Sequence, residues 1–163
     1  MPDKKKIVLI DDEADLCLLV KDNLEATGEF EVVTTINPKE AEDICRREKP
    51  DAVLVDNIMP GRRGSEIAKA LKQDEELKNI PIVMVSGKGE MVYSKKKKQF
   101  QWLPNNPLTK DRGQIVESKD PEALSKGYGV DDYVSKPFAT ETLVEVINNV
   151  IAIARKRAEE SQE

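Results

Sequence analysis

The chain contains no histidine. That absence removes zinc hydrolases and nucleophiles activated in a Ser-His-Asp arrangement. Cysteine is scarce: Cys17 and Cys45 stand alone, without metal-ligand spacing. Both fall in predicted helices, where a thiol serves as a small buried side chain, and a reducing, cytoplasmic compartment fits. Aromatic residues make up only 4% of the chain, so its 39% hydrophobic fraction builds a single core mainly from aliphatics. No apolar stretch approaches the roughly 18 residues of a membrane span, and the N-terminus has no signal-peptide core. A net charge of −5 argues against sequence-independent binding of nucleic acid by the surface as a whole.

What the chain does have is acids placed at the ends of short apolar runs. Ile7 to Ile10 is followed by Asp11 and Asp12, and Ala52 to Val55 by Asp56. Four or five consecutive aliphatics closed by a carboxylate read as a buried parallel strand with a polar C-terminal end. In an open α/β sheet, ligands bind at those ends, where the strand order reverses. Three carboxylates gathered there would repel one another unless a cation sat among them. All-oxygen ligation suits Mg²⁺.

The rest of the chain alternates strand and helix. A helix is expected from about Ala14 to Thr27, with Leu16, Leu19, Val20 and Leu24 inward and Gly28 ending it. Glu31 to Ile36 reads as a second strand. Asn37-Pro38-Lys39-Glu40 then supplies an N-cap, a proline at N1 and a glutamate at N3 for a helix carrying Ala41, Ile44 and Cys45 inward. After the strand ending at Asp56, Met59-Pro60-Gly61 makes a turn, and a helix runs from about Gly64 to Gln73. Ile82 to Val85 is a fourth strand, closed by Ser86-Gly87. Residues at about 88–119 show neither period and hold Lys95 to Lys98, Phe100, Trp102 and two prolines. Asp120-Pro121 opens a short helix, Asp132 to Ser135 forms a weakly apolar fifth strand, and Lys136-Pro137-Phe138 follows. The last helix starts near Thr140 with Leu143, Val146, Ile147, Val150, Ile151 and Ala154 as its stripe. Five β/α units imply a doubly wound five-stranded parallel sheet, an α/β fold.

In this order and at these strand ends, the residues resemble the receiver domain of two-component response regulators. The match rests on Asp11-Asp12, Asp56, Met59-Pro60-Gly61, Ser86 and Lys136-Pro137-Phe138. The resemblance implies a flavodoxin-like strand order of 2-1-3-4-5. It implies Asp56 as phosphoryl acceptor, and Asp11, Asp12, Asp56 and the backbone carbonyl of Ile58 as Mg²⁺ ligands. Lys136 would pair with the acceptor and then with the phosphoryl group, and Ser86 would donate its hydroxyl to a phosphoryl oxygen. Tyr133 stands where the family places a switch aromatic that fills the space Ser86 vacates. The implied partners are a sensor histidine kinase or phosphotransfer protein, a downstream protein target and, on phosphorylation, a second copy of the chain. Neither a membrane nor nucleic acid is among them. Such a domain assists its own phosphorylation and dephosphorylation without being a turnover enzyme.

The chain also departs from the family pattern. Ser86 and Lys136 are 50 residues apart, because an insertion at about 88–119 separates the fourth strand from the fourth helix. A loop of that length is usually functional. The expected division is a receiver over 1–154, insertion included, and a charged tail over 155–163, with no attached output module. Two rival readings remain at this point. One is a scaffold whose insertion blocks phosphorylation. The other is a Mg²⁺-dependent aspartyl-phosphate phosphatase, which would need a general acid where Ile58 stands.

Overall fold

The computed structural model describes residues 3–86, 91–94, 99–102 and 130–162. The strands are β1 (Lys5–Ile10), β2 (Phe30–Thr35), β3 (Ala52–Asp56), β4 (Ile82–Ser86), β5 (Met91–Ser94), β6 (Gln99–Trp102) and β7 (Asp132–Ser135). The helices are α1 (Ala14–Ala26), α2 (Ala41–Glu48), α3 (Gly64–Gln73) and α4 (Thr140–Ser161). Five strands form one parallel sheet in the order β2-β1-β3-β4-β7. This is the expected 2-1-3-4-5 order, with β7 as its fifth strand.

Alternate residues of the central strands feed two cores, which is why those strands read as unbroken apolar runs. Ile7, Leu9, Leu54, Val83 and Val85 pack with Val20 and Leu24 of α1 and with Leu143 and Ile147 of α4. Val8, Ile10, Val53, Val55, Ile82 and Met84 pack with Ile44 of α2 and with Ile67 and Leu71 of α3. Each fully buried aliphatic side chain contributes about 1.5–3 kcal/mol of burial free energy. At the far pole, two aspartates tie neighbouring strands together. Asp51 accepts the Lys6 amide at 2.8 Å, and Asp131 accepts the Ile82 amide at 2.8 Å.

Several local expectations change. Leu19 was expected inward but is 56% exposed, and Cys17 takes the inward position at 2%. The second strand begins one residue earlier, at Phe30, which is fully buried, while Ile36 lies beyond its end and is exposed. Asn37 does cap, accepting from the Lys39 amide at 3.0 Å, but it caps a 3₁₀ turn, Pro38–Glu40, that leads into α2. Glu40 does not close the box on Asn37; it accepts from the Thr35 hydroxyl at 3.0 Å, and the Asn37 amide donates to that hydroxyl at 3.1 Å. The insertion is not wholly aperiodic: β5 and β6 pair antiparallel as a separate two-stranded sheet, with Met91 opposite Trp102 and Tyr93 opposite Phe100. The helix expected after Asp120 lies outside the described residues. Beyond Arg155 the chain continues as helix to Ser161 with exposed side chains. Among the described residues, no helix is long and apolar enough to cross a membrane.

Candidate functional site

The sheet delivers its acids to one rim. β1 ends at Ile10 opposite Val55, so Asp11 and Asp56 emerge side by side at the C-terminal ends of adjacent strands. Carboxylate oxygens of Asp11, Asp12 and Asp56 all lie within 4.8 Å of one another. Asp11 and Asp56 are buried, at 1% and 4% exposure, while Asp12 is exposed. A buried carboxylate needs a donor or a cation beside it. Asp11 has both: its Oδ1 accepts the Glu13 amide at 2.9 Å, and its Oδ2 accepts Lys136 Nζ at 2.9 Å.

Lys136 reaches the site from the segment just after β7, where its peptide bond to Pro137 is cis. Its ammonium lies 3.4 Å from Asp56 Oδ1 and 3.8 Å from Glu13 Oε1. Burial alone pulls this lysine down from its ordinary value. The hydrogen bond to Asp11 and the charges of Asp56, Asp11 and Glu13 push it up by more, so the net shift is upward. The amine is a fixed cation at neutral pH.

The loop after Asp56 is held close to its strand. The Gly64 amide donates to the Asn57 carbonyl at 2.8 Å. A Cβ at Gly64 would lie 2.3 Å from the Asp56 carbonyl oxygen, so only glycine allows this approach. Met59 is buried against Ala41 and Ile44, whereas the Ile58 side chain is 54% exposed.

The structure thus brings Asp11, Asp12, Asp56 and Lys136 together. Ser86 closes β4 one residue beyond Val85, the register partner of Asp56, so its backbone reaches the same rim; its hydroxyl lies outside the described residues. Tyr133 pairs with Met84 on β7 and packs, half-buried, against the α2–α3 core. Gly87 lies outside the described residues. Three residues of the site escaped the sequence analysis. Glu13 adds a third acid near Lys136, and its signal was the unbroken Asp11-Asp12-Glu13 run. Thr35 accepts the Asp11 amide on its carbonyl at 3.1 Å. Cys17 donates its thiol to the Asp11 carbonyl at 3.3 Å.

The donor set fits a hard divalent cation: three carboxylates, only oxygen, and an exposed side at Asp12 where water ligands can remain. A family model described as the response regulator receiver domain matches residues 7–103, more than half of the chain. The chain belongs to that family. The match stops before Lys136, which the fold returns to the acids. The receiver is 31% identical over 150 residues to the phosphate regulon transcriptional regulatory protein PhoB of Rhizobium meliloti, covering 92% of this chain and 53% of that protein. It is 27% identical over 150 residues to the polar-differentiation response regulator DivK of Brucella anthropi, covering 92% and 98%. The chain therefore spans about half the length of the PhoB proteins it matches and nearly all of DivK. Among solved structures, the Vibrio cholerae chemotaxis protein CheY4 matches with a TM-score of 0.66 at 22% identity, covering 91% of this chain and 99% of that one. A response regulator from Chloroflexus aurantiacus gives 0.67 at 22% identity, covering 92% and 99%. At such identities these likenesses speak to fold. Receiver domains are signalling modules, and they generally bind Mg²⁺ at an acidic pocket of this kind.

Proposed function

We propose that this receiver accepts a phosphoryl group on Asp56 from the phosphohistidine of a sensor kinase or phosphotransfer protein, and relays the change to a protein target. One observation carries the reading. A buried carboxylate at the end of a central strand has two further carboxylates within 4.8 Å and a lysine ammonium at 3.4 Å.

In the proposed step, an Asp56 oxygen attacks phosphorus in line with the donor imidazole. The P–O bond forms, the P–N bond breaks, and the imidazole leaves with the bonding pair. Asp11, Asp12, Asp56 and the Ile58 carbonyl would hold Mg²⁺, which supplies charge neutralisation for the transferring group. Lys136 then passes from the Asp56 carboxylate to a phosphoryl oxygen. Its competing bond to Asp11 keeps the ammonium placed before and after transfer. Ser86 donates to another phosphoryl oxygen, and Tyr133 follows into the vacated space, changing the surface that the partner reads. That surface, or a second phosphorylated copy docked on it, is the output.

Intact mass spectrometry after incubation with acetyl phosphate and Mg²⁺ tests this. The expected result is a gain of about 80 Da, one phosphoryl group, absent in Asp56→Asn. An unmodified wild-type chain would support the scaffold instead. Steady phosphate release from many monoesters would support the phosphatase, which the exposed, apolar Ile58 is chemically unfit to serve as general acid.

A further inference from the structure

Arg62 lies in the loop between β3 and α3, two residues before Gly64, and the site as described gives it no role. Its side chain is only 18% exposed. Its Nη1 donates to Glu42 Oε1 at 2.6 Å and to the Pro38 carbonyl at 3.2 Å. Glu42 lies in the first turn of α2, and Pro38 opens the 3₁₀ turn before it. One guanidinium therefore ties the acceptor loop to the connection between β2 and α2.

That connection is itself tied to the other wall of the acid cluster. Glu40 accepts from the Thr35 hydroxyl, and the Thr35 carbonyl accepts the Asp11 amide. The chain of contacts runs from Asp11 through Thr35 and Glu40 to Pro38, Glu42 and Arg62. It joins the β1 loop, which carries Asp11 and Asp12, to the β3 loop, which carries Ile58. The β3 loop is pinned at its base by the Asn57–Gly64 hydrogen bond and inward by Met59. Arg62 is the tether on its outer side. Losing it removes the side-chain tie between this loop and the β2–α2 connection.

We infer that Arg62 is a positioning residue for the cation site: its pair with Glu42 fixes the distance between the two loops that face the acids. The inference rests on the reading of Asp56 as a Mg²⁺-dependent acceptor. Groups hydrogen-bonded directly to a ligand typically change metal affinity by about 10–100-fold; Arg62 acts one contact further out, through the loop, so the lower end of that range is expected. The pair is largely shielded from solvent, so breaking it also lowers stability, but a loss of stability alone does not respond to Mg²⁺ concentration. The two roles therefore leave different signatures.

The test uses the full chain as wild type, Arg62→Ala, Arg62→Lys and Glu42→Gln. Titration calorimetry gives Mg²⁺ affinity, hydrogen exchange of the amides at 57–63 is followed without metal, and acetyl-phosphate labelling is measured across Mg²⁺ concentration. Arg62→Ala should weaken Mg²⁺ binding about tenfold, speed exchange of the loop in the metal-free protein, and recover its labelling rate at saturating Mg²⁺. Arg62→Lys, which keeps the charge but loses the fork, should fall between. Glu42→Gln should move in the same direction and carries the comparison should Arg62→Ala lose the fold. Wild-type Mg²⁺ affinity and loop exchange in both Arg62→Ala and Glu42→Gln would overturn the inference. So would a labelling deficit that Mg²⁺ does not restore, the sign of a merely structural residue. A wild-type chain that neither binds Mg²⁺ nor labels would overturn the function reading itself, and this inference with it.

Discussion

Lys136 holds the acid cluster together by standing closer to Asp11 than to Asp56, 2.9 Å against 3.4 Å. The two neighbouring aspartates therefore differ in kind. Asp11 is buried, accepts the Glu13 amide and binds Lys136; Asp12 is exposed. Removing Asp11 takes from Lys136 its shortest partner, leaving Asp56 and Glu13, and takes from the Glu13 amide its acceptor, a change that costs about 1–3 kcal/mol. Asp12→Ala should leave the melting temperature near wild type and weaken Mg²⁺ binding more than Asp11→Ala does. Asp11→Ala should lower the melting temperature clearly. Calorimetric titration beside thermal melting checks both, and equal melting temperatures would contradict the division of roles. Glu13 and Leu19 show what one residue's sequence context leaves open. Neighbours on a helix differ by about 100° in direction, so packing alone decided that Cys17, and not Leu19, faces the sheet.

Elements show where this sheet is guarded and where it is extended. β2 is an edge strand, and an unpaired edge invites pairing with another chain. Here α1 covers part of it: Glu25 accepts the Val32 amide at 3.1 Å, and Lys21 donates to the Val32 carbonyl at 2.6 Å. The loop after β3 depends on Gly64, since an added Cβ would sit 2.3 Å from the Asp56 carbonyl oxygen. Gly64→Ala should destabilise by about 1–3 kcal/mol, as overpacking does, and should slow labelling of Asp56. Urea denaturation and acetyl-phosphate labelling measure the two effects. The β5–β6 hairpin pairs with itself and adds no strand to the five-stranded sheet. Closing a shorter loop changes its entropy only slowly, about 0.6 kcal/mol per doubling of length. Replacing Glu90 to Ser118 by a short Gly/Ser linker should thus leave a receiver that melts near wild type and still labels. A collapsed melting transition would show that Phe100 and Trp102 pack into the domain.

Among the described residues, Cys17, Cys45, Lys136 and Arg46 gain proton affinity on folding, the first three within reach of an alkaline titration. Burial pushes the Cys17 thiol up to about 11 and the Cys45 thiol up to about 12, and Lys136 is held above its ordinary value. Folding then favours the protonated form in each case. Their contribution is complete below the unfolded values, which are 9.0 for the thiols and 10.5 for the lysine. It is lost as pH rises through the folded ones. Unfolding free energy should accordingly fall from about pH 9 up to about 12, by an amount on the order of a few kcal/mol. Denaturant titrations at stepped pH measure the slope, and Cys17→Ala/Cys45→Ala should flatten it. A slope unchanged in that double variant would assign the alkaline loss elsewhere.

The sequence by itself determined the repeating strand and helix pattern, the aliphatic core and the acids that close β1 and β3. These are short-range signals: an apolar run, a glycine or a proline, and a carboxylate where a buried strand meets solvent. Strand order was legible through the family resemblance that several such signals, in one fixed sequence, carry, and so was the meeting of Asp56 with Asp11 and Asp12. The family match ends at residue 103, yet Lys136 was readable from its place after the last strand. Only tertiary structure decided which charges meet. Asp11 pairs with Lys136 across 125 positions, and Arg62 with Glu42 across 20. No local period encodes such contacts. The β5–β6 hairpin was hidden for a different reason: each strand has four residues, too few to separate an alternating pattern from chance. Glu40 joined Thr35 instead of closing its own capping box because β2 delivers a hydroxyl to it from outside the helix. Local chemistry proposes partners, and the packed sheet chooses among them by distance.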